Sequence, residues 1–318
     1  MLMALFHILI FPGLLFLGVY GLIMAYLDRK IYARLQNRQG PPWFQPLADF
    51  LKLLGKETIV PELANKKAFP FLPVLALAAV TTAYLYIPLW SMSSLYPFEG
   101  DLIVILYLLT LPTLCFFLGG WYSGSVYAVL GSVRVITQLF SYEVPLFMAL
   151  LTPALLANTW SLSGITQYYA AHPLYILINI PAFIVAVIAC QGKLERVPFD
   201  LPEAETELAG GTFVEYGGRL YAIFKMAIDC ELVVVASLIA AVFLPFYTGN
   251  PWADFGLYIV KTIVILFIFA LFRTIMARIR IEQMVAFCWK YLVPLALIQL
   301  IVNLLLKGVL AKKKKSLE

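Results

Sequence analysis

The chain is a series of long apolar runs separated by short segments where charge collects. A helix that crosses the hydrocarbon core of a bilayer needs about 20 apolar residues. Eight runs come near or exceed that length: 2–27, 69–90, 102–119, 126–157, 174–190, 220–247, 255–272 and 285–306. They are continuous rather than alternating, which argues against a β-barrel. The expected fold is all-α, a polytopic membrane protein of about eight transmembrane helices forming one integral-membrane domain over residues 1–318. Pro112, Pro145, Pro181 and Pro294 fall inside these runs and can break helices where protein or water lines the gap.

Three connecting segments carry their own patterns. In 28–68, Leu47, Phe50, Leu51 and Leu54 recur at helical spacing, with Asp49, Lys52 and Lys56 off that stripe. That is the signature of an interfacial amphipathic helix. Segment 191–219 sets Lys193, Arg196 and Arg219 against six acids: Glu195, Asp200, Glu203, Glu205, Glu207 and Glu215. Asp200 and Glu203 fit a capping box, Pro202 the first turn and Gly210-Gly211 a stop, so a short helix is expected over 201–209. Segment 273–284, with Arg273, Arg278 and Arg280, is an ordinary basic loop.

The cations set the orientation. Arg29, Lys30, Arg34 and Arg38 follow the first run, which places segment 28–68 in the cytoplasm and the N-terminus outside. Segments 191–219 and 273–284 then also face the cytoplasm. The cluster Lys312 to Lys315 falls on the external side and conflicts with the rule.

Composition narrows the function. Apolar residues make up 62% and charged residues 13% of the chain, against roughly 45–50% and 25% in soluble domains. The four cysteines (Cys115, Cys190, Cys230, Cys288) are scattered and form no CxxC, and the two histidines lie in different segments. No metal, iron–sulfur or haem site is expected in this chain, no nucleotide loop is present, and the charge balance does not point to nucleic acid.

The polar residues inside the runs carry the remaining information. Arg134, Gln138 and either Ser141 or Tyr142 share a helix face, and Glu143 points the opposite way. Lys225 and Asp229 are i, i+4 neighbours that could pair, with Glu231 on another face. Together with Lys261, Arg273 and Lys290 these charges are expected to form a hydrated polar path for a proton or ion. Catalysis would need a nucleophile or metal constellation, which the sequence does not display.

Four stretches carry a family resemblance. ERVPFDLPEAETELAGG followed by VEYGG, RQGPP followed by QPLADFLKLLGKE, GSVRVITQLFSYEVPL, and RIRIEQMVAFCWKYLVPL are the stretches concerned. The chain resembles subunit 1 of respiratory complex I and its counterpart in membrane-bound nickel–iron hydrogenases of the formate hydrogenlyase type and related ferredoxin-linked complexes. The resemblance implies a non-catalytic membrane subunit that anchors a cytoplasmic redox arm and couples electron transfer to H⁺ or Na⁺ translocation. It implies an ion path through Glu143, Glu215, Asp229, Glu231, Arg134 and Lys225, and a coupling loop of Arg196, Asp200, Glu203, Glu205 and Glu207. It implies a redox-arm or quinone-entrance surface at Arg34, Arg38, Gln45, Asp49, Lys52, Arg278 and Arg280. The implied partners are hydrophilic iron–sulfur and large-subunit-like redox proteins, holding Fe–S clusters and Ni–Fe, with antiporter-like and small membrane subunits in the bilayer. The stretch from Gly40 to Pro46 is shorter than the GPN-R-x-GP-x-G pattern of complex I members. That departure points away from bound quinone and toward the hydrogenase branch. The alternatives are a quinone-binding complex I subunit and a sulfur-reducing relative.

Overall fold

A computed structural model describes residues 2–202 and 205–315, and all regular elements among them are helical. The helices are α1 Leu2–Leu9, α2 Leu14–Leu35, α3 Gln45–Gly55, α4 Ala68–Leu85, α5 Asp101–Trp121, α6 Val126–Ala157 and α7 Leu162–Ala171. There follow α8 Leu174–Ile178, α9 Ile180–Lys193, α10 Glu205–Leu208, α11 Gly218–Phe243, α12 Pro251–Ile275, α13 Ile281–Phe287 and α14 Val293–Lys315. Seven helical stretches are long and apolar enough to cross a membrane, and α9 is a shorter apolar helix.

The expectation of about eight spans is thus one too many, because run 174–190 does not form a helix of spanning length. Run 174–190 divides at Asn179 into α8 and α9, beside Pro181, whose ring nitrogen has no hydrogen to give a preceding carbonyl. The last helix repairs the gap. Gln299 Nε2 donates to the Ile178 carbonyl at 2.7 Å, and Asn303 Nδ2 donates to Asn179 Oδ1 at 2.7 Å and to the Thr152 carbonyl at 3.1 Å. Broken helices survive at membrane depth only where neighbours satisfy the freed groups in this way.

Helix α11 forms the centre of the bundle. Every residue from Asp229 to Phe243 is buried, as expected for a helix apolar on all sides. Small residues allow close approach of its neighbours, since packing rather than water drives helix association in lipid. Gly21 of α2 illustrates this: a Cβ there would stand 3.3 Å from the Asp229 backbone.

The amphipathic helix of the first connecting segment is present as α3, but it is turned relative to expectation. Pro46, Phe50 and Leu53 face α2 and α11, whereas Leu47 and Leu51 are exposed. Asp49 turns inward, because Arg29 (3.0 Å) and Gln45 (2.9 Å) both donate to its carboxylate. The helix expected over 201–209 is reduced to the single turn α10, with Glu203 outside the described residues. The short helix α7 was hidden inside a polar stretch and buries only Leu162, Ile165 and Tyr169 as large apolar groups.

The Ile279 amide donates to the Pro198 carbonyl at 3.2 Å and Arg219 Nε to the Leu54 carbonyl at 3.3 Å, which brings three connecting segments together. One end holds segments 36–67, 194–217 and 276–280 and most of the charge. We refer to it as the charged end.

Candidate functional site

At the charged end, α2, α9, α11, α12 and the start of the acidic loop enclose a chamber of about 170 Å³. Ten of its lining residues are ionisable: Asp28, Glu195, Asp200, Asp229 and Glu231 against Arg29, Lys193, Arg196, Lys225 and Arg273. Five acids face five bases, and this balance lets so much charge persist below the protein surface.

Local structure delivers each group. Helix α9 ends in a Schellman motif: the amide of Arg196 donates to the Gln191 carbonyl and that of Glu195 to the Gly192 carbonyl, both at 3.2 Å. Glu195 occupies the left-handed position, φ +50°, where glycine is usual. A non-glycine residue there stores strain, a recurrent feature of functional segments. The turn redirects the chain so that Arg196 meets Asp28 at 2.7 Å. Arg273, from the end of α12, meets the other oxygen of Asp28 at 3.1 Å and lies over the Tyr32 ring at 4.2 Å. Asp28, on α2, is only 3% exposed and is clamped by two guanidinium groups.

Deeper in the bundle, Lys193 and Glu231 form an ion pair at 2.7 Å, each side chain 2% exposed. Lys193 Nζ also donates to the Leu109 carbonyl and to Thr113 Oγ1, and Tyr142 OH lies 3.2 Å from the same Thr113 oxygen. Gln138 Nε2 fixes the backbone beneath by donating to the Gly192 carbonyl at 2.6 Å. Lys225 and Asp229 approach at 3.9 Å within α11, the expected i, i+4 pairing.

The expected path of eight charges is therefore regrouped. Lys225, Asp229, Glu231 and Arg273 line the chamber. Glu143, half-buried, lines a separate narrow cavity with Tyr142, Cys190 and Lys193. Lys261 lies toward the opposite end, donating to the Phe246 carbonyl at 2.5 Å and standing 4.1 Å above the Tyr247 ring. Lys290 is exposed on the outside of the bundle. Lys261 stands twelve residues before Arg273 on α12, roughly 18 Å away along the helix axis, and Lys290 faces outward.

Arg134 leaves the path as well. Its guanidinium donates to Glu207 at 2.6 Å and to the Leu201 carbonyl at 3.4 Å, so it pins the acidic loop to α6. Arg278 stands 3.8 Å from Glu207, and Arg280 lines the same cleft. The hydrogen bond from Arg134 holds the Glu207 carboxyl below the usual carboxylate range. Asp200 joins the chamber wall, whereas Glu215 is half-buried in the turn before α11, away from that wall. The Glu205 side chain and Glu203 lie outside the described residues. Arg34 and Arg38 are exposed, and Lys52 lines a groove beside α3 with Asp49 and Lys225.

Sequence reasoning missed Asp28 and Lys193. Asp28 was masked by the basic run that follows it. The apolar run stops at Cys190 and so leaves Lys193 in the connecting segment, although α9 continues three residues further. Among the described residues, no group of three or more His, Cys, Asp or Glu side chains is placed to hold a metal ion.

Comparison with known proteins agrees with this architecture. The profile of a family described as NADH dehydrogenase matches residues 7–304. The chain belongs to the NADH dehydrogenase family. Within it, the chain is 33% identical to an NADH-quinone oxidoreductase subunit of Syntrophotalea carbinolica, over 95% of this chain and 96% of that one. It is 36% identical to NADH-quinone oxidoreductase subunit 8 of Thermus thermophilus, over 91% and 84% of the two chains. Among solved structures, a chain of the membrane-bound sulfane sulfur reductase, an archaeal respiratory membrane complex, superposes with a TM-score of 0.82. That chain is 28% identical, with 91% of this chain and 96% of the other covered. Like these family members, the protein is a multi-pass membrane subunit, and its relatives belong to multi-subunit oxidoreductase complexes.

Proposed function

We propose that this chain is the ion-coupling membrane subunit of an energy-converting oxidoreductase of the membrane-bound hydrogenase type. In this reading it anchors a redox arm carrying Fe–S clusters and Ni–Fe, and passes H⁺ or Na⁺ toward antiporter-like and small membrane subunits. The charged end faces the cytoplasm of a cell membrane, since Arg29, Lys30, Arg34, Arg38, Arg278 and Arg280 gather there. The acidic loop and α3 receive the redox arm.

The supporting observation is the chamber with its five acids and five bases, continued inward by the Lys193–Glu231 pair. Its residues hold, orient and exchange charge, and none forms a nucleophile–base pair of the kind that substrate chemistry needs. The chamber also fits a quinone poorly. Small-molecule sites run to about 300–1,000 Å³ with mostly apolar walls, whereas this one is about 170 Å³ and largely charged.

The test is purification of the intact complex in mild detergent, with subunit identification, nickel, iron and quinone analysis, and redox-driven ion uptake after reconstitution. Nickel, hydrogen from reduced ferredoxin and coupled ion uptake are expected. Two other acceptors are distinguished by the same preparation. The likeness to the sulfane sulfur reductase favours a sulfur-reducing complex, which would contain no nickel. The names of the curated relatives favour quinone, which would co-purify and be reduced.

A further inference from the structure

Away from the charged chamber, a groove of about 500 Å³ runs between α1, the start of α2 and α4, and shares no residue with the chamber. Its floor is one stripe of α4: Val74, Ala78, Thr81, Thr82 and Leu85, which helical spacing puts on a single face. Ala4 and Ile8 line it from α1. Gly13, where a Cβ would overlap the Ile8 carbonyl, permits the tight turn that joins α1 to α2 beside α4. Val74, Ala78 and Thr82 are exposed, so the groove opens on the outside of the bundle.

The wall offers hydrocarbon and no free donor along its length. Both threonine hydroxyls turn back to their own helix, Thr81 Oγ1 donating to the Leu77 carbonyl at 2.7 Å and Thr82 Oγ1 to the Ala78 carbonyl at 2.8 Å. Polar groups stand at the mouth away from the charged end. Tyr86 and Tyr96 line it there, and Tyr96 OH lies 3.3 Å from His7 Nδ1. Tyrosines gather at the headgroup level of a membrane, so this mouth sits where a lipid's glycerol region would.

The dimensions choose between occupants. From Val74 to Leu85 the stripe is about 16 Å long. One leaflet of hydrocarbon is about 15 Å deep, half of the core. Over that length, about 500 Å³ gives a cross-section of roughly 30 Å². A helix with its side chains, ~10–12 Å across, needs roughly 80–110 Å². The groove therefore admits a hydrocarbon chain but not a whole helix. Left empty, it would forfeit the dispersion contacts of its lining.

We propose that this groove holds one hydrocarbon chain of a bilayer lipid, drawn from the leaflet opposite the charged end, with the glycerol region beside Tyr86 and Tyr96. A chain there touches α1, α2 and α4, whereas lipid on the outward face of α14 touches one helix. It stays bound when detergent strips the surrounding lipid. Residues 1–28 and 68–100 contain no lysine or arginine, so the hydrocarbon, and not headgroup charge, holds it. The site needs only the membrane-spanning fold, whatever the assembled complex reduces.

The experiment washes the intact complex in mild detergent and counts retained lipids by native mass spectrometry, in wild type and in Ala78→Phe. Ala78 is exposed in the middle of the stripe, so phenylalanine there fills the groove without entering the core. Wild type should keep one lipid per copy of this chain that Ala78→Phe lacks. Equal retention overturns the proposal, and so does the loss of a small membrane subunit in place of a lipid, which would make the groove a helix site. Should Ala78→Phe fail to assemble, the wild-type complex decides alone. It is reconstituted with a phospholipid carrying a photoreactive group in its chain, in a zwitterionic and an anionic form. After washing, label should concentrate on α1 and α4, equally from both lipids. Label spread evenly over α4, α12 and α14, or label that requires the anionic headgroup, overturns the proposal.

Discussion

Asp28 and Arg196 meet at 2.7 Å where the first long helix abuts the start of the acidic loop, and Arg273 closes on the same carboxylate at 3.1 Å. One aspartate therefore holds α2, the acidic loop and α12 together. Removing one partner of a buried ion pair costs about 3–5 kcal/mol, because the other charge stays buried and unpaired. Asp28→Asn takes that partner from Arg196 and from the partly exposed Arg273, so the loss should fall at or below the lower end of that range. The variant should lower the unfolding midpoint of the detergent-solubilised complex and weaken coupled turnover, and Arg196→Ala should do less damage because Arg273 still balances Asp28. Wild-type unfolding in Asp28→Asn would refute this organising role.

The Arg134–Glu207 contact makes a pH prediction. Glu207 titrates below its ordinary range in the folded chain, so the ion pair contributes stability above the unfolded-state value and loses it as pH falls through the lower folded value. The loop should stay pinned at neutral pH and come free only below the unperturbed glutamate value of about 4.3. Hydrogen exchange of segment 205–213, corrected for the intrinsic pH dependence, should report that release. Arg134→Ala should produce it at neutral pH, and unaltered protection in that variant would place the anchor elsewhere.

Gly131 is the point where α6 touches the turn after α10. A Cβ there would stand 2.7 Å from the Thr212 amide nitrogen and 2.8 Å from the Gly211 carbonyl carbon. Both are backbone atoms that cannot swing aside. Alanine favours a helix over glycine by about 1 kcal/mol, yet overpacking here should outweigh that gain, with a net loss of about 1–2 kcal/mol. Faster proteolysis of segment 209–217 in Gly131→Ala would register the displaced turn.

Glu143 is half-buried and lines its cavity with Lys193. Glu143→Gln keeps the shape and removes the charge. It should leave electron transfer intact while ion uptake in sealed membranes falls by roughly tenfold. Equal ion-to-electron ratios in variant and wild type would remove Glu143 from the path.

Much of this protein is legible in one dimension. Apolar run length marked all seven stretches that are long and apolar enough to cross a membrane, since a helix in lipid must satisfy its own backbone and present an apolar surface, and it overcounted by one at run 174–190. The amphipathic spacing of Leu47, Phe50, Leu51 and Leu54 announced α3, and Gly210-Gly211 marked the end of α10. The i, i+4 pairing of Lys225 with Asp229 followed from helix geometry alone.

The partners of the other charges were beyond that reach. Arg134 bonds across to Glu207, Arg273 to Asp28, and Lys193 to Glu231, each on a different element. Helical periodicity says which residues share a face, but not which foreign face they meet or at what depth. The sequence alone determined the class of fold, the position of the seven long apolar stretches and the segments where charge gathers. Tertiary packing decided that Asp28 clamps three elements and that Lys193 pairs with Glu231. Those outcomes depend on the rotation and depth of each helix against its neighbours, which run length does not encode.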